Sequence, residues 1–439
     1  MNEIAYSSLN IFASLKFGWI RPILASLLLV NCFLTPALSF GGTFKDGLPL
    51  AGKSLSQMET FDRRLLELMS KWNVPGTSVA YVYKGKLIYW RAYGYADTSK
   101  KQPVQPASLF RIASVSKLLT SVAILKLVEE AKLNLDTPAL QLLEIPKDPQ
   151  RLRDARLELI TVRHLLECSA GWNRNSAGDP MFLPLAAQAA QEFSNNLRPT
   201  ARAIVRYSIG FPLDTLPGKR FAYSNLGYSI LGQIIAKVSG MKYEEYVRRN
   251  ILLPMGISEM KAGKTREAAP GEVHYYGFPR EEVGASIMPN VRGYLPLEYG
   301  GNFYLEAMTA DCGWIANSAD LAIFISSVFG ERGKAKQVLS DRMVSTMIEK
   351  PDLDQWQDQA DYFAKGWEVE NSDEPERMIV KKDGCLPGST TVSVHRMDGK
   401  TMVICFNTRP QQSRIFQDEV KALILDTFDS SQKWLSTSK

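Results

Sequence analysis

Residues 111–120 read RIASVSKLLT, placing Ser114 three positions before Lys117. On a helix, residues i and i+3 share a face, so the lysine amine can reach the serine hydroxyl. Two readings compete. In the first, Ser114 caps a helix and Lys117 extends to solvent. In the second, Ser114 is a nucleophile. The helix N-terminus then supplies unpaired N–H groups and partial positive charge for an oxyanion. A lysine packed on an apolar face has its charged form disfavoured and can act as a base near neutral pH. Spacing does not decide between them, because Ser-x-x-Lys also occurs at Ser239/Lys242, Ser258/Lys261, Ser430/Lys433 and Ser436/Lys439. Ser114 differs in context. It opens a segment read as amphipathic, with Leu118, Val122, Leu125 and Val128 on one face.

Upstream, METFDRRLLELMSKW places Phe61, Leu65, Leu68 and Met69 at helical spacing. TSVAYVYKGKLIYWRAYGYAD reads as two strands around Lys84-Gly85-Lys86. Downstream come several helices with loops rich in Pro, Asn and Gly. NLGYSILGQIIAKVSG is a helix stopped by Gly240, residues 262–310 are loop-rich, and SADLAIFISSVFG is a helix capped by Ser318. TTVSVH and TMVICFN flank the turn RMDGK. A last helix puts Ile415, Phe416, Val420, Leu423, Ile424 and Phe428 on an apolar face. Strands at both ends and helices between them predict an α+β fold: an antiparallel sheet built from both chain ends, flanked by helices, with an inserted mainly helical lobe.

The N-terminus differs in kind. Lys16 and Arg21 precede the apolar run ILASLLLVNCFL, and Ala37 and Ser39 stand where a signal peptidase prefers small residues. Residues 1–39 are expected to be a signal peptide, 40–55 a linker and 56–435 one domain, exported to the periplasm or medium. The rival is an uncleaved membrane anchor. Pro22, Asn31, Pro36 and Gly41-Gly42 disfavour a continuous membrane helix.

The net charge of +6 is small, and no basic cluster is interleaved with aromatics, so no nucleic-acid partner is expected. Removing the signal leaves Cys168, Cys312, Cys385 and Cys405, which allow three pairings or four buried thiols. With only His164, His274 and His395 and no Cys-x-x-Cys pair, zinc chemistry has almost no support.

Two later stretches change the odds for Ser114. FAYSNLGY holds Tyr223 and Asn225, and KKDGCLPGST holds Lys382, Asp383 and Gly384. Taken alone, Tyr223 is as well read as a half-buried aromatic, Asn225 as a helix cap and Lys382 as a surface lysine. Gly384 fits a strand edge that must approach a ligand closely. Together with Ser114 and Lys117 they stand in the order Ser-x-x-Lys, Tyr-x-Asn, Lys-x-Gly. In that order the chain resembles the serine β-lactamase and penicillin-binding-protein superfamily, most closely its class C β-lactamase-like branch of esterases, D-aminopeptidases and DD-peptidases. The segments LVEEAKLNLDTPA, TVRHLLECSAGW and YVRRNILLPMGIS carry the resemblance over roughly residues 56 to 430.

The resemblance implies a serine hydrolase that forms an acyl-enzyme on an ester or amide, a β-lactam included. Ser114 would attack, Lys117 and Tyr223 would move its proton, and Asn225, Lys382 and Gly384 would hold substrate. The backbone N–H groups of Ser114 and Cys385 would form the oxyanion hole. No metal or organic cofactor is implied. The substrate would be a small molecule or a peptide, one derived from the cell wall included. The alternative is a non-catalytic cell-wall-binding or sensor protein on the same fold. Cys385 has a competing identity as a core thiol, a disulfide partner or a rival nucleophile. Asp383 departs from the family pattern, where Thr, Ser or Gly is usual. In the pocket it would repel a substrate carboxylate unless Lys382 neutralised it. Cys168 and Ala170 stand where relatives often carry His and Ser, and His164 reads as structural.

Overall fold

The computed structural model describes residues 47–143, 145, 154–194, 197–277, 282–331 and 337–437. The apolar N-terminal run and the cleavage expected after Ser39 lie outside the described residues.

The main sheet has eight strands in its path: β1 (Leu50–Gly52), β2 (Gly76–Tyr83), β3 (Lys86–Asp97), β4 (Tyr362–Phe363), β5 (Glu368–Glu370), β6 (Ile379–Leu386), β7 (Ser389–Arg396) and β8 (Lys400–Phe406). Their order is β1-β3-β2-β8-β7-β6-β5-β4, every pairing antiparallel, and Gln102–Pro103 adds a short ninth strand beside β3. The hairpin β2–β3 forms where Lys84 and Gly85 take positive φ, 47° and 74°. At the sheet's centre β2 meets β8, with Val79 opposite Ile404. The sheet is thus built from both chain ends, as the sequence predicts. The stretch read as a linker supplies β1: Leu50–Gly52 pairs antiparallel with Arg91–Tyr93, and Ala51 packs against the core.

Strand alternation sorts side chains to two faces. Val79, Tyr81, Ile404 and Phe406 pack against α1 (Glu59–Lys71) and the C-terminal α5 (Ser413–Thr437), with Phe61, Leu65, Phe416 and Ile424 buried there. Ala80, Val82, Val403 and Cys405 face the helical lobe: α2 (Ser116–Glu129), α3 (Asn225–Ser239) and α4 (Ser318–Val328). Two details of the helix readings change. Ile415 is half exposed rather than on the buried face of α5. Asn317, not Ser318, caps α4, its side chain accepting from Asp320 N at 2.8 Å.

The larger correction concerns α2. It is not an amphipathic surface helix: every residue from Ser116 to Leu125 is buried. A helix buried on all sides along most of its length belongs in the centre of a large domain, and its polar residues Ser116, Thr120 and Ser121 find partners there. The lobe encloses it, and Lys117 is carried inside with it.

Candidate active site

Ser114 stands on a single 3-10 turn, Ala113–Val115, that leads into α2. Ala113 has φ 46°, a left-handed conformation that costs a residue with a Cβ about 1–2 kcal/mol. The turn aims one side chain outward. From Ser108 to Leu125 every residue is buried except Ser114. Ser114 makes no capping hydrogen bond, so the reading as a plain helix cap fails.

The turn is braced by β6. A Cβ on Gly384 would lie 2.2 Å from Ile112 O and 3.0 Å from Ser114 N, so only glycine lets the strand edge pass this close. Pairing of β6 with β5 stops at Lys381, while β6 runs on to Leu386. Its outer edge over 382–386 therefore has no partner strand among the described residues, and the Ser114 turn lies against it.

Lys117 is fully buried and shares its three protons among oxygen acceptors. Nζ donates to Asn225 Oδ1 at 2.6 Å, to Asp311 O at 2.9 Å and to Ser114 Oγ at 3.4 Å. Burial opposes its charge, but the anionic forms of Cys312, Tyr223 and Asp311 outweigh burial, and the ammonium is held above the ordinary lysine range. The direction runs against the expected lowering, and it depends on the charge of partners that burial itself pushes up, Cys312 and Asp311. The sequence shows the apolar helix face but not the acceptors that stabilise the charge.

Asn225 is the first residue of α3, not its cap. Ser224 is the cap, accepting from Gly227 N at 3.0 Å. That frees the Asn225 amide for the site. Its Nδ2 donates to Asp179 Oδ2 at 2.7 Å, which fixes Oδ1 toward Lys117. Both ends of the amide are thus engaged within the protein.

Tyr223 joins the cluster through its ring. Lys382 Nζ lies 4.7 Å, Arg174 Cζ 4.8 Å and Lys117 Nζ 5.1 Å from its centroid. Its hydroxyl is buried and has no hydrogen-bond partner among the described residues. Lys382 also reaches Glu368 Oε1 at 2.9 Å. Burial works against its charge, yet the Glu368 carboxylate outweighs this and holds Lys382 well above the ordinary lysine range.

Asp383 and Cys385 point the other way. Lys382, Gly384 and Leu386 lie on the buried, lobe-facing side of β6, and the alternate residues face α5. Asp383 lies 3.9 Å from Lys381, and Cys385 Sγ accepts from Gln417 Nε2 of α5 at 3.2 Å. The like-charge objection to an anionic substrate therefore falls, because the Asp383 carboxyl is behind the strand. Burial next to Glu368 pushes Asp383 up to about 7, against the pull of Lys381 and Lys382. The Cys385 thiol is likewise behind the strand, pushed up to about 11 by burial, and only its backbone remains on the Ser114 side.

Five residues the sequence reading missed complete the surroundings: Arg174, Asp179, Asp311, Cys312 and Glu368. Cys312 Sγ lies 3.5 Å from Ser114 Oγ and 3.8 Å from Lys117 Nζ, and burial pushes the thiol up to about 12. Both carboxyl oxygens of Asp311 are buried without a hydrogen-bond partner among the described residues, and burial pushes this group up to about 8. No spacing rule could have found them, since Cys312 is 198 positions from Ser114. All four described cysteines are free thiols, so none of the three pairings forms here. His164 closes a capping box with Thr161, the structural role expected of it. Beside Asn225 opens a mainly apolar cavity of about 90 Å³, lined among others by Trp172, Asp179, Tyr207 and Phe211.

The chain is similar to known proteins along most of its length. Over 326 residues it is 26% identical to protein flp of Staphylococcus aureus strain COL, covering 74% of this chain and 58% of flp. It thus spans little more than half of that relative. The octameric penicillin-binding protein homologue from Pyrococcus abyssi superposes with a TM-score of 0.64 at 24% identity, covering 84% of this chain and 77% of that one. The D-amino acid amidase from Ochrobactrum anthropi SV3 superposes with a TM-score of 0.63 at 20% identity, covering 85% and 100%. The family model described as Beta-lactamase matches residues 61–426, the span that carries Ser114, Lys117, Tyr223, Asn225 and Lys382. The chain belongs to the beta-lactamase family.

Proposed function

We propose that this protein is an exported serine hydrolase that cleaves esters or amides through an acyl-enzyme on Ser114. One observation carries the reading. In a segment otherwise buried from 108 to 125, Ser114 alone reaches the surface, and a buried lysine bound by Asn225 lies 3.4 Å behind its hydroxyl. Burying a lysine is costly, and one held 3.4 Å behind the segment's single surface serine fits an active site.

In the first step Ser114 Oγ attacks the substrate carbonyl carbon while its proton passes to the Lys117–Tyr223 pair, one member of which is in its base form. Lys117 Nζ, 3.4 Å from Ser114 Oγ, is the direct neighbour; Tyr223, whose hydroxyl has no hydrogen bond to Ser114 among the described residues and whose ring borders Lys117, is the onward relay to the leaving group. In its ammonium form Lys117 stabilises the negative charge that develops at the reacting centre. The N–H groups of Ser114 and Cys385 receive the carbonyl oxygen as it turns anionic. Tyr223 then protonates the leaving group as the carbon–leaving-group bond breaks, and water hydrolyses the acyl-enzyme. Lys382 and Gly384 shape the substrate side of the strand edge, and the apolar cavity beside Asn225 suits a hydrophobic acyl group. The substrate is a small molecule or peptide, with cell-wall fragments among the candidates. The D-amino acid amidase of the same fold is consistent with an amide.

The test is labelling with a fluorophosphonate. The wild type is expected to label and Ser114→Ala to lose the label entirely. A folded wild type that does not label at all would favour the non-catalytic binding protein. A panel of p-nitrophenyl esters, D-aminoacyl anilides and a chromogenic cephalosporin would then rank the substrate classes.

A further inference from the structure

Around Tyr223 each cation is already matched by an acceptor from this chain. Lys117 has Asn225 Oδ1 and Asp311 O. Arg174 has Asp179, at 3.8 Å. Lys382 has Glu368, at 2.9 Å. The last match is the most complete. Glu368 opens β5 directly across from Lys381, and its carboxylate is divided between two lysines: Oε1 to Lys382 and Oε2 to Lys381, at 3.3 Å. Lys382 is itself enclosed, with the Tyr223 ring at 4.7 Å and the Phe363 ring at 5.2 Å.

We propose that Glu368 is a specificity-determining residue: by occupying Lys382 it reserves the leaving-group side of the site for substrates that carry no carboxylate there. The proposal rests on the hydrolase reading above, in which Tyr223 protonates the leaving group. Lys382 borders Tyr223, so it lies on that side. An anionic leaving group approaching Lys382 must either displace Glu368 or lie beside it. Displacement breaks a charge-assisted hydrogen bond and deprives the Glu368 carboxylate of Lys382, leaving it only Lys381. Coexistence sets two carboxylates side by side. A neutral group meets neither obstacle, because it leaves the pair intact. Asp383 plays no part in this selection, since it faces α5.

The experiment compares two chromogenic acetates that differ in one charge, 4-nitrophenyl acetate and 3-carboxy-4-nitrophenyl acetate, each corrected for its uncatalysed rate. The wild type is expected to prefer the neutral ester in kcat/KM by tenfold or more. Glu368→Gln is expected to move that ratio by at least tenfold toward the carboxylated ester. Glu370→Gln, which touches Lys381 and Lys421 but not Lys382, is expected to leave the ratio within twofold. Fluorophosphonate labelling of Ser114 is read in parallel. Labelling with an unchanged ratio in Glu368→Gln overturns the proposal and spares the hydrolase reading. Absence of labelling in the wild type overturns both. If Glu368→Gln does not fold, the wild-type ratio still decides: equal use of the two esters overturns the proposal.

Discussion

Lys117 Nζ donates to Asn225 Oδ1 at 2.6 Å, although 108 positions separate the two residues. This bond ties the first turn of α2 to the first turn of α3. It brings two of the family's short motifs together and gives the buried lysine an oxygen acceptor inside the lobe. Its geometry depends on a third residue, Asp179, which holds the other end of the amide.

Asp179 is therefore expected to act as a positioning residue. In Asp179→Ala the amide loses its acceptor at Nδ2 and can rotate away from Lys117. We expect kcat to fall about tenfold, or ~1.4 kcal/mol of barrier, with KM changed less than threefold. Asp179→Asn, which keeps an oxygen acceptor, is expected to recover most of the loss. Steady-state kinetics on a p-nitrophenyl ester checks both, and a loss confined to KM would refute the positioning role.

Gly384 is expected to tolerate no side chain. The Cβ of Gly384→Ala would meet Ile112 O at 2.2 Å, and backbone on both sides leaves no flexible group to yield. Overpacking of this kind costs about 1–3 kcal/mol. A lowered urea midpoint together with slower labelling of Ser114 is the predicted pair of results. A variant as stable and as reactive as wild type would show that β6 is free to move from the turn.

Asp311 makes stability depend on pH. Burial pushes its carboxyl from an ordinary 3.8 up to about 8, among Lys117, Asp179, Cys312 and Tyr243. Below the unfolded value both states hold the proton and the group contributes nothing. Between the two values the unfolded chain releases it and the fold does not, so stability falls as pH rises, by about 1.4 kcal/mol per unit. Above about 8 the loss levels off. Asp311→Asn removes the titration. The gap in Tm between this variant and wild type is expected to grow in the variant's favour from pH 5 to pH 8. A gap that stays constant would place the carboxyl in contact with water.

Much of the architecture was legible because it rests on local periodicity. Phe61, Leu65, Leu68 and Met69 mark the buried face of α1, and the alternation in TMVICFN marks β8. The same alternation holds the answer for Asp383: in KKDGC it must face away from Lys382 and Gly384 once the segment is a strand. By contrast, α2 misleads a reading by periodicity. Polar residues such as Ser116, Thr120 and Ser121 mimic a solvent face, yet all three are buried and hydrogen-bonded, Thr120 to Ala310 O and Ser121 to Lys365 O.

From the order of residues alone came the two-ended sheet and the helical insert, which follow from periodicity along the chain; the five side chains Ser114, Lys117, Tyr223, Asn225 and Lys382 came from motifs whose ordered combination resembles a known family. Tertiary structure alone decided that Lys117 is buried against Asn225 and Asp311, that Cys312 borders the nucleophile and that Glu368 occupies Lys382. A group's charge and partners depend on what lies within a few ångströms of it in space, and here those neighbours come from up to 198 positions away.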